Sequence, residues 1–225
     1  MASKIARGTT LESVLEAIRE GILDATYPPG MQIKQALVAD DLGVSQSMVR
    51  EALGRLAEEG LLESIPYRGY FVRRLSIRDV REIYQLRTAL ECLAAQICLP
   101  NLEESNFDEL ETLYEQIMAS AKSGDSSDAI SADLAFHRYL VNLSGNSRLL
   151  KSWDSLLGQC YYALHDLYQL QAEPSMESLA ENHILIIEAL ASKDMRRITT
   201  AIEEHMNFAS DMLLQRINDL SEAAS

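Results

Sequence analysis

Several things are scarce in this chain, and each scarcity closes off a class of function. No apolar run approaches the roughly 18 residues that a membrane-spanning helix needs, so no span is predicted. The first residues, Met-Ala-Ser-Lys-Ile-Ala-Arg-Gly, lack the apolar core of a secretory leader, and a cytoplasmic protein is expected. Only three cysteines occur, Cys92, Cys98 and Cys160, none in a CxxC or other metal-ligand spacing. All three fall in predicted helices, where they read as small buried hydrophobes in a reducing compartment. There is no internal repeat and no low-complexity segment. Positive charge is scarce as well: 20 Lys and Arg stand against 34 Asp and Glu, a net of −14. Over the whole chain, that balance argues against nucleic acid.

The distribution of the charge changes the argument. Residues 1–74 hold nine basic and ten acidic side chains, whereas residues 75–225 hold eleven and twenty-four. The acidity belongs to the C-terminal two-thirds. Phosphate attraction acts over about a Debye length, roughly 8–10 Å, so a near-neutral head can still present Arg50, Arg55, Arg68, Arg73 and Arg74 to a duplex. A chain of 225 residues that is 47% apolar has enough material for two packed domains.

What the head contains is a specific local grammar. Thr9 or Thr10 can cap a first helix running to about Ala25, with Leu11, Val14, Leu15, Ile18 and Ile22 on one face. Tyr27-Pro28-Pro29-Gly30 ends it. A short helix with Leu37, Val38 and Leu42 then runs into Gly43, placed for a left-handed helix end, and Ser45, placed as the next N-cap. The second helix repeats Val49, Leu53 and Leu56 at helical spacing and presents Gln46, Ser47 and Arg50 near its start. That is a helix-turn-helix with a recognition helix. Two short strands, Leu61–Ile65 and Tyr70–Val72, flank a turn at 66–69 and make the motif a winged helix. Arg68 and Gly69 form the wing tip. Double-stranded DNA is the predicted partner, and a dimer on an inverted-repeat operator is the expected geometry.

The remainder reads as helix throughout. Leu75 and Ser76 connect, with Ser76 a plausible N-cap, and apolar residues recur at helical spacing through about 77–99, 106–122, 127–143, 147–171, 175–192 and 194–221. Breaks fall at Pro100-Asn101, 123–127, Ser144-Gly145-Asn146, Glu173-Pro174 and 192–194. Six helices with short connections predict an antiparallel α bundle over 75–225, beside a winged-helix domain over 1–74. The fold class is therefore mostly α.

Chemistry in the bundle rests on few residues. The chain has four histidines, His137, His165, His183 and His205. Asp133 and His137 are four apart and share a helix face, and His183 and His205 lie on the last two helices. One Asp and three His from facing helices suit Zn²⁺, Ni²⁺ or Mn²⁺ and leave coordination sites for water or a carboxylate. Scattered surface or core histidines are the competing reading of the same spacing. Arg87 precedes Glu91 by four residues, which fits either a solvated ion pair or a guanidinium reaching into the bundle for an effector carboxylate. Nearby Ile83, Leu86 and Leu90 predict a largely packed helix. Asn146 is placed either to cap the following helix or to touch a ligand.

The motifs PPG at 28–30, LVADDLGVSQSMVREALGRLAEEGLL at 37–62 and PYRGYFV at 66–72 resemble the head of the GntR family of bacterial transcription regulators. YQLRTALE at 84–91, DLAFHRYLVNLSGN at 133–146, ENHILIIEAL at 181–190 and EEH at 203–205 resemble its FCD subfamily of helical ligand-binding domains. The likeness covers essentially the whole chain. It implies DNA contacts for Ser45, Gln46, Ser47, Arg50, Arg68 and Gly69. It places Asp133, His137, His183 and His205 on the FCD metal-ligand positions one for one, and Arg87 at the place where an FCD arginine faces the pocket. The chain departs from the family at Gln46 and Met48, where Arg and Pro are usual. In a major groove Gln prefers adenine, whereas Arg prefers guanine.

A ligand-responsive transcription regulator is the leading expectation, with a small organic acid sensed at the bundle metal. The alternative from another class is a helical metalloenzyme that activates water at the same four ligands. A third is a bundle that only dimerises around a structural metal.

Overall fold

In a computed structural model, which describes residues 10–24, 26–124, 126–168 and 176–223, the chain forms two compact units, 1–74 and 75–225.

In the first unit, α1 (Leu11–Leu23) begins at Thr10, whose side chain accepts from the Ser13 amide in a capping box. The predicted end near Ala25 and the alternative cap Thr9 lie outside the described residues. Val14, Leu15, Ile18 and Ile22 are buried, and α1 packs on α3 (Gln46–Glu58). Between them, α2 (Gln35–Leu42) ends at Gly43, whose φ of +68° is open to glycine at little cost. Ser45 then caps α3, its hydroxyl accepting from the Met48 amide at 3.3 Å. Val49, Ala52, Leu53 and Leu56 bury the inner face of α3 against this unit's core.

The wing has one strand more than the sequence pattern predicts. Strands β2 (Leu62–Ile65) and β3 (Gly69–Val72) pair antiparallel with Leu62 opposite Val72, and β1 (Gln32–Ile33) joins the other edge of β3. Two residues are too short to show a period of two, which is why β1 escapes a pattern search. The connecting turn puts Tyr67 (φ +63°) and Gly69 (φ +94°) in the left-handed region, with the Tyr67 side chain fully exposed.

The second unit is all helix among the described residues, but it has eight helices where six were predicted. They are α4 (Ile77–Cys98), α5 (Glu104–Ser123), α6 (Ser126–Asn142), α7 (Ser147–Asp154), α8 (Leu157–Tyr168), α9 (Met176–Glu181), α10 (His183–Ala191) and α11 (Met195–Ala223). Ser76 and Asp79 form a capping box that starts α4. The predicted helix over 147–171 breaks at Ser155 and Leu156, and that over 175–192 breaks at Asn182. The residues at the breaks, Ser155, Leu156 and Asn182, are neither Pro nor Gly, and the apolar period runs through both. The predicted break at Glu173-Pro174 lies outside the described residues.

Among the described residues, thirty-three buried apolar side chains form one core in this unit, drawn from α4 through α11, with Phe136, Leu140, Trp153 and Ile202 among them. Leu86, expected to pack, turns outward instead: Leu86, Leu93 and Ile97 are 46%, 45% and 37% exposed along one side of α4. The three thiols are free, and burial pushes those of Cys92 and Cys160 up to about 11. No helix among the described residues is long and apolar enough to cross a membrane.

Candidate metal centre and nucleic-acid interface

The bundle gathers the four predicted metal ligands into one buried cluster. Asp133 and His137 come from α6, His183 from the first residue of α10 and His205 from α11, and a donor atom of each lies within 4.8 Å of the others. Exposure is 5% for Asp133, 0% for His137, 1% for His183 and 7% for His205, so water does not solvate them. Phe136 backs the cluster, its ring edge-on to His137 and His183 at 5.5 and 5.0 Å.

Hydrogen bonds outside the cluster decide which ring nitrogens face inward. His137 Nδ1 lies 2.7 Å from Glu91 Oε2, and His183 Nδ1 lies 3.1 Å from the Ala180 carbonyl. A carboxylate and a carbonyl only accept, so in both rings Nδ1 carries a proton and Nε2 is the nitrogen turned toward the cluster. His183 Nε2 then stands 3.1 Å from Asp133 Oδ1, close but without the alignment of a hydrogen bond. His137 Nε2 stands 3.1 Å from His205 Nε2. Asp133 Oδ2, His183 Nε2 and His205 Nδ1 are buried without hydrogen-bond partners. Electron-pair donors thus converge with too few protons between them, and unpaired buried polar atoms are costly.

Burial and the charges of the site pull its groups in opposite directions. Burial would raise the Asp133 carboxyl, but His183, His137 and Arg87 hold it well below the usual carboxylate range. Burial pushes the His205 imidazole well below its ordinary value, assisted by His183 and His137. Burial also lowers His137, against the opposing pull of Glu91. An ionised Asp133 and imidazoles lowered at His137 and His205 are in the forms that bind a divalent ion. Two Zn–N bonds of about 2.0–2.1 Å at a tetrahedral angle put their nitrogens about 3.3 Å apart, close to the separation of the His137 and His205 pair. The donor set fits a transition ion.

Arg87 lies inside the unit and is not on a solvated face. It is 1% exposed, donates through Nε to Glu91 Oε1 at 3.3 Å, and sits over the rings of Tyr84 and Trp153 at 5.6 and 5.8 Å. Its Nη2 is buried and unpartnered, as is the Tyr84 hydroxyl. Asn146 is exposed at the start of α7, and its side-chain oxygen accepts from the Arg148 and Leu149 amides, so helix capping accounts for it. His165 is half-buried on α8, outside the cluster. Glu91 and Trp153, which the helical spacing does not single out, join this site through hydrogen bonds to His137 and to each other. Tracing Tyr84, Arg87, Glu91, Ala94 and Cys98 along α4 at helical spacing would have put Glu91 on the buried face.

In the first unit, Ser45, Gln46, Ser47 and Arg50 are all exposed at the start of α3. Arg50 makes no hydrogen bond or ion pair among the described residues, whereas Arg55 is drawn to Glu51 at 3.2 Å. Arg74 donates to the Pro29 carbonyl at 3.1 Å, which reduces its availability. At the wing tip Arg68 stacks over Phe71 at 5.3 Å, its own carbonyl accepts from Gln32, and Gly69 supplies the left-handed turn beside it.

Two sequence families match this chain in order: the bacterial regulatory proteins of the gntR family over residues 10–72, and the FCD domain over residues 82–208. A protein of Paenarthrobacter nicotinovorans described as "Probable D-xylose utilization operon transcriptional repressor" is 29% identical, over 91% of this chain and 89% of its own length. The HTH-type transcriptional regulator McbR of Escherichia coli is 27% identical, over 84% of this chain and 86% of its own. The solved structure of E. coli McbR/YncC superposes with a TM-score of 0.78 at 25% identity, covering 93% of this chain and 99% of that one.

Proposed function

This chain belongs to the GntR family of bacterial regulatory proteins and carries an FCD domain, and on that premise we propose that it senses a small carboxylic acid at a divalent ion held in the helical unit. Its relatives are named transcriptional regulators, so it is a DNA-binding regulator and not an enzyme, and the water-activating alternative is set aside. The proposed ligands are Asp133, His137, His183 and His205. The observation that carries the reading is the convergence of their donors in a buried site where Asp133 Oδ2, His183 Nε2 and His205 Nδ1 have no partner. An ion held by these residues would attract an acid oxygen, and the Nη2 of Arg87, buried without a partner, would supply a charge-assisted donor to the carboxylate.

The proposed DNA-bound form is a cytoplasmic dimer with one head on each half of a palindromic operator. Ser45, Gln46, Ser47 and Arg50 would meet the major groove, and Arg68 and Gly69 the adjoining backbone. Exposed Leu86, Leu93 and Ile97 on α4 follow heptad spacing of seven and four, which supports pairing of two copies through the helical unit. Acid binding changes operator affinity only if it favours one arrangement of the paired chains over the other.

The test is a melting-temperature screen of purified protein with Zn²⁺, Ni²⁺ or Mn²⁺, each with and without a panel of small carboxylic acids. A further rise with one acid, only when metal is present, is expected. A metal-induced rise that no acid extends points to a purely structural ion and rejects the sensing role.

A further inference from the structure

Glu91 touches both the arginine assigned to the effector and a histidine assigned to the ion. Its Oε2 accepts from His137 Nδ1 at 2.7 Å, and its Oε1 accepts from Trp153 Nε1 at 3.0 Å and from Arg87 Nε at 3.3 Å. Glu91 is fully buried, and so are the three residues that donate to it. The carboxylate therefore joins α4, which carries Arg87 and Glu91, to His137 on α6 and Trp153 on α7.

A carboxylate has about four acceptor directions, and donors occupy three of them here. Because Oε2 takes the Nδ1 proton of His137, that ring is held with Nε2 toward the cluster. Because Oε1 is shared, the charge Glu91 directs at His137 depends on how strongly Arg87 holds it. A ligand carboxylate arriving at the free Nη2 of Arg87 would draw on the same positive charge. Glu91 would then be a stronger acceptor for His137, and a histidine whose second nitrogen donates to a stronger acceptor is the better metal ligand.

We infer that Glu91 is a positioning residue that fixes the ring of His137 for the ion and transmits the state of Arg87 to metal affinity. The inference rests on the metal and effector reading above. It implies that acid and metal strengthen each other's binding, because coupling between two binding equilibria is reciprocal.

Co²⁺ and Zn²⁺, with no acid present, test this on the full-length protein. Glu91→Gln, whose amide cannot accept on both sides, should weaken Co²⁺ binding about 10- to 100-fold and change the visible Co²⁺ spectrum. Nitrogen-15 histidine spectra of metal-free protein should show His137 protonated on Nδ1 in the wild type and a mixture in Glu91→Gln. Glu91→Asp, which keeps the charge but shortens its reach, should fall between the two and replaces Glu91→Gln if that variant does not fold. Arg87→Gln should tighten Co²⁺ binding in the wild-type background and leave it unchanged in Glu91→Gln. An unchanged His137 tautomer in Glu91→Gln overturns the positioning role. An Arg87→Gln effect that persists in Glu91→Gln means that the guanidinium acts directly through its field, and overturns the coupling. A wild type that takes up no Co²⁺ overturns the metal reading and the coupling with it, while the tautomer result still stands by itself.

Discussion

Nε2 of His137 and Nε2 of His205 stand 3.1 Å apart although the two residues are 68 apart in sequence. With the His137 Nδ1 proton committed to Glu91, at most one proton can lie between the two nitrogens, and His205 must supply it. His205 Nδ1 is then a buried acceptor without a donor. An ion between the rings would remove that conflict. Purified protein should therefore contain about one divalent ion per chain, measured by elemental analysis. His183→Ala and His205→Ala should each bind the ion far more weakly. Saturating Zn²⁺ at about a hundredfold over Kd should add about 2.7 kcal/mol to wild-type stability. A double variant that retains full metal content would move the site elsewhere.

The metal-free protein should lose stability in mild acid. Burial lowers His205 and His137, with Asp133 opposing the shift at both, Glu91 opposing it at His137, and Arg87 adding to it. Their folded values lie below the unfolded value of about 6.5, so the unfolded chain binds protons first as the pH falls. No penalty operates above about 6.5, and it grows below that point. The depressed carboxyls of Asp133 and Glu91 act in the same direction but only below about 4. Melting curves in chelator from pH 8 to 5 should fall with acid, and His205→Gln should flatten the slope. A wild-type curve that is level from pH 7.5 to 5 would reject buried neutral histidines.

Where the sequence was legible, the chemistry was local. Gly43 and Ser45 announce a turn because a left-handed helix end and an N-cap each need one residue type at one place. The breaks at Ser155 and Asn182 carry no such mark. Leu149, Trp153, Leu156 and Cys160 keep helical spacing across the first, so the apolar pattern does not show where α7 ends. The cluster of Asp133, His137, His183 and His205 was legible through motif resemblance, since spacing by itself favoured scattered surface or core histidines. Glu91 was hidden because an Arg and a Glu four residues apart look the same on a wet face and a buried one. Its bond to Trp153 spans 62 residues.

Pairing of copies through α4 predicts that a charge in the exposed apolar stripe separates them. Leu93→Glu should shift the protein from dimer to monomer in light scattering, with the helical content unchanged. Operator affinity should drop with it, because one head holds only a half-site. A variant that remains dimeric would place the pairing surface elsewhere.

Arg50 is an exposed, uncommitted cation one turn into the recognition helix, which makes it the strongest candidate for a base or phosphate contact. Arg50→Ala should weaken operator binding about 10- to 100-fold, the scale of one good base-edge contact. Gln46→Arg should shift selection toward guanine at one position of each half-site. Anisotropy titrations and selection of bound sequences provide the check. Identical selected motifs for wild type and Gln46→Arg would mean that residue 46 reads no base.

Arg87 is the residue at which structure and sensing are hardest to separate. Its loss leaves Glu91 as a buried charge with one donor fewer, and breaking a buried pair costs about 3–5 kcal/mol. Arg87→Ala should therefore melt earlier than wild type, which by itself says nothing about a ligand. The distinguishing result is the pairing of two titrations. Arg87→Ala should still take up the ion, since Asp133 and the three histidines remain, but should lose calorimetric heat with the acid found in the screen. His205→Ala should lose both. If Arg87→Ala binds that acid as tightly as wild type, the arginine serves only to neutralise Glu91, and the carboxylate must be met by the ion alone.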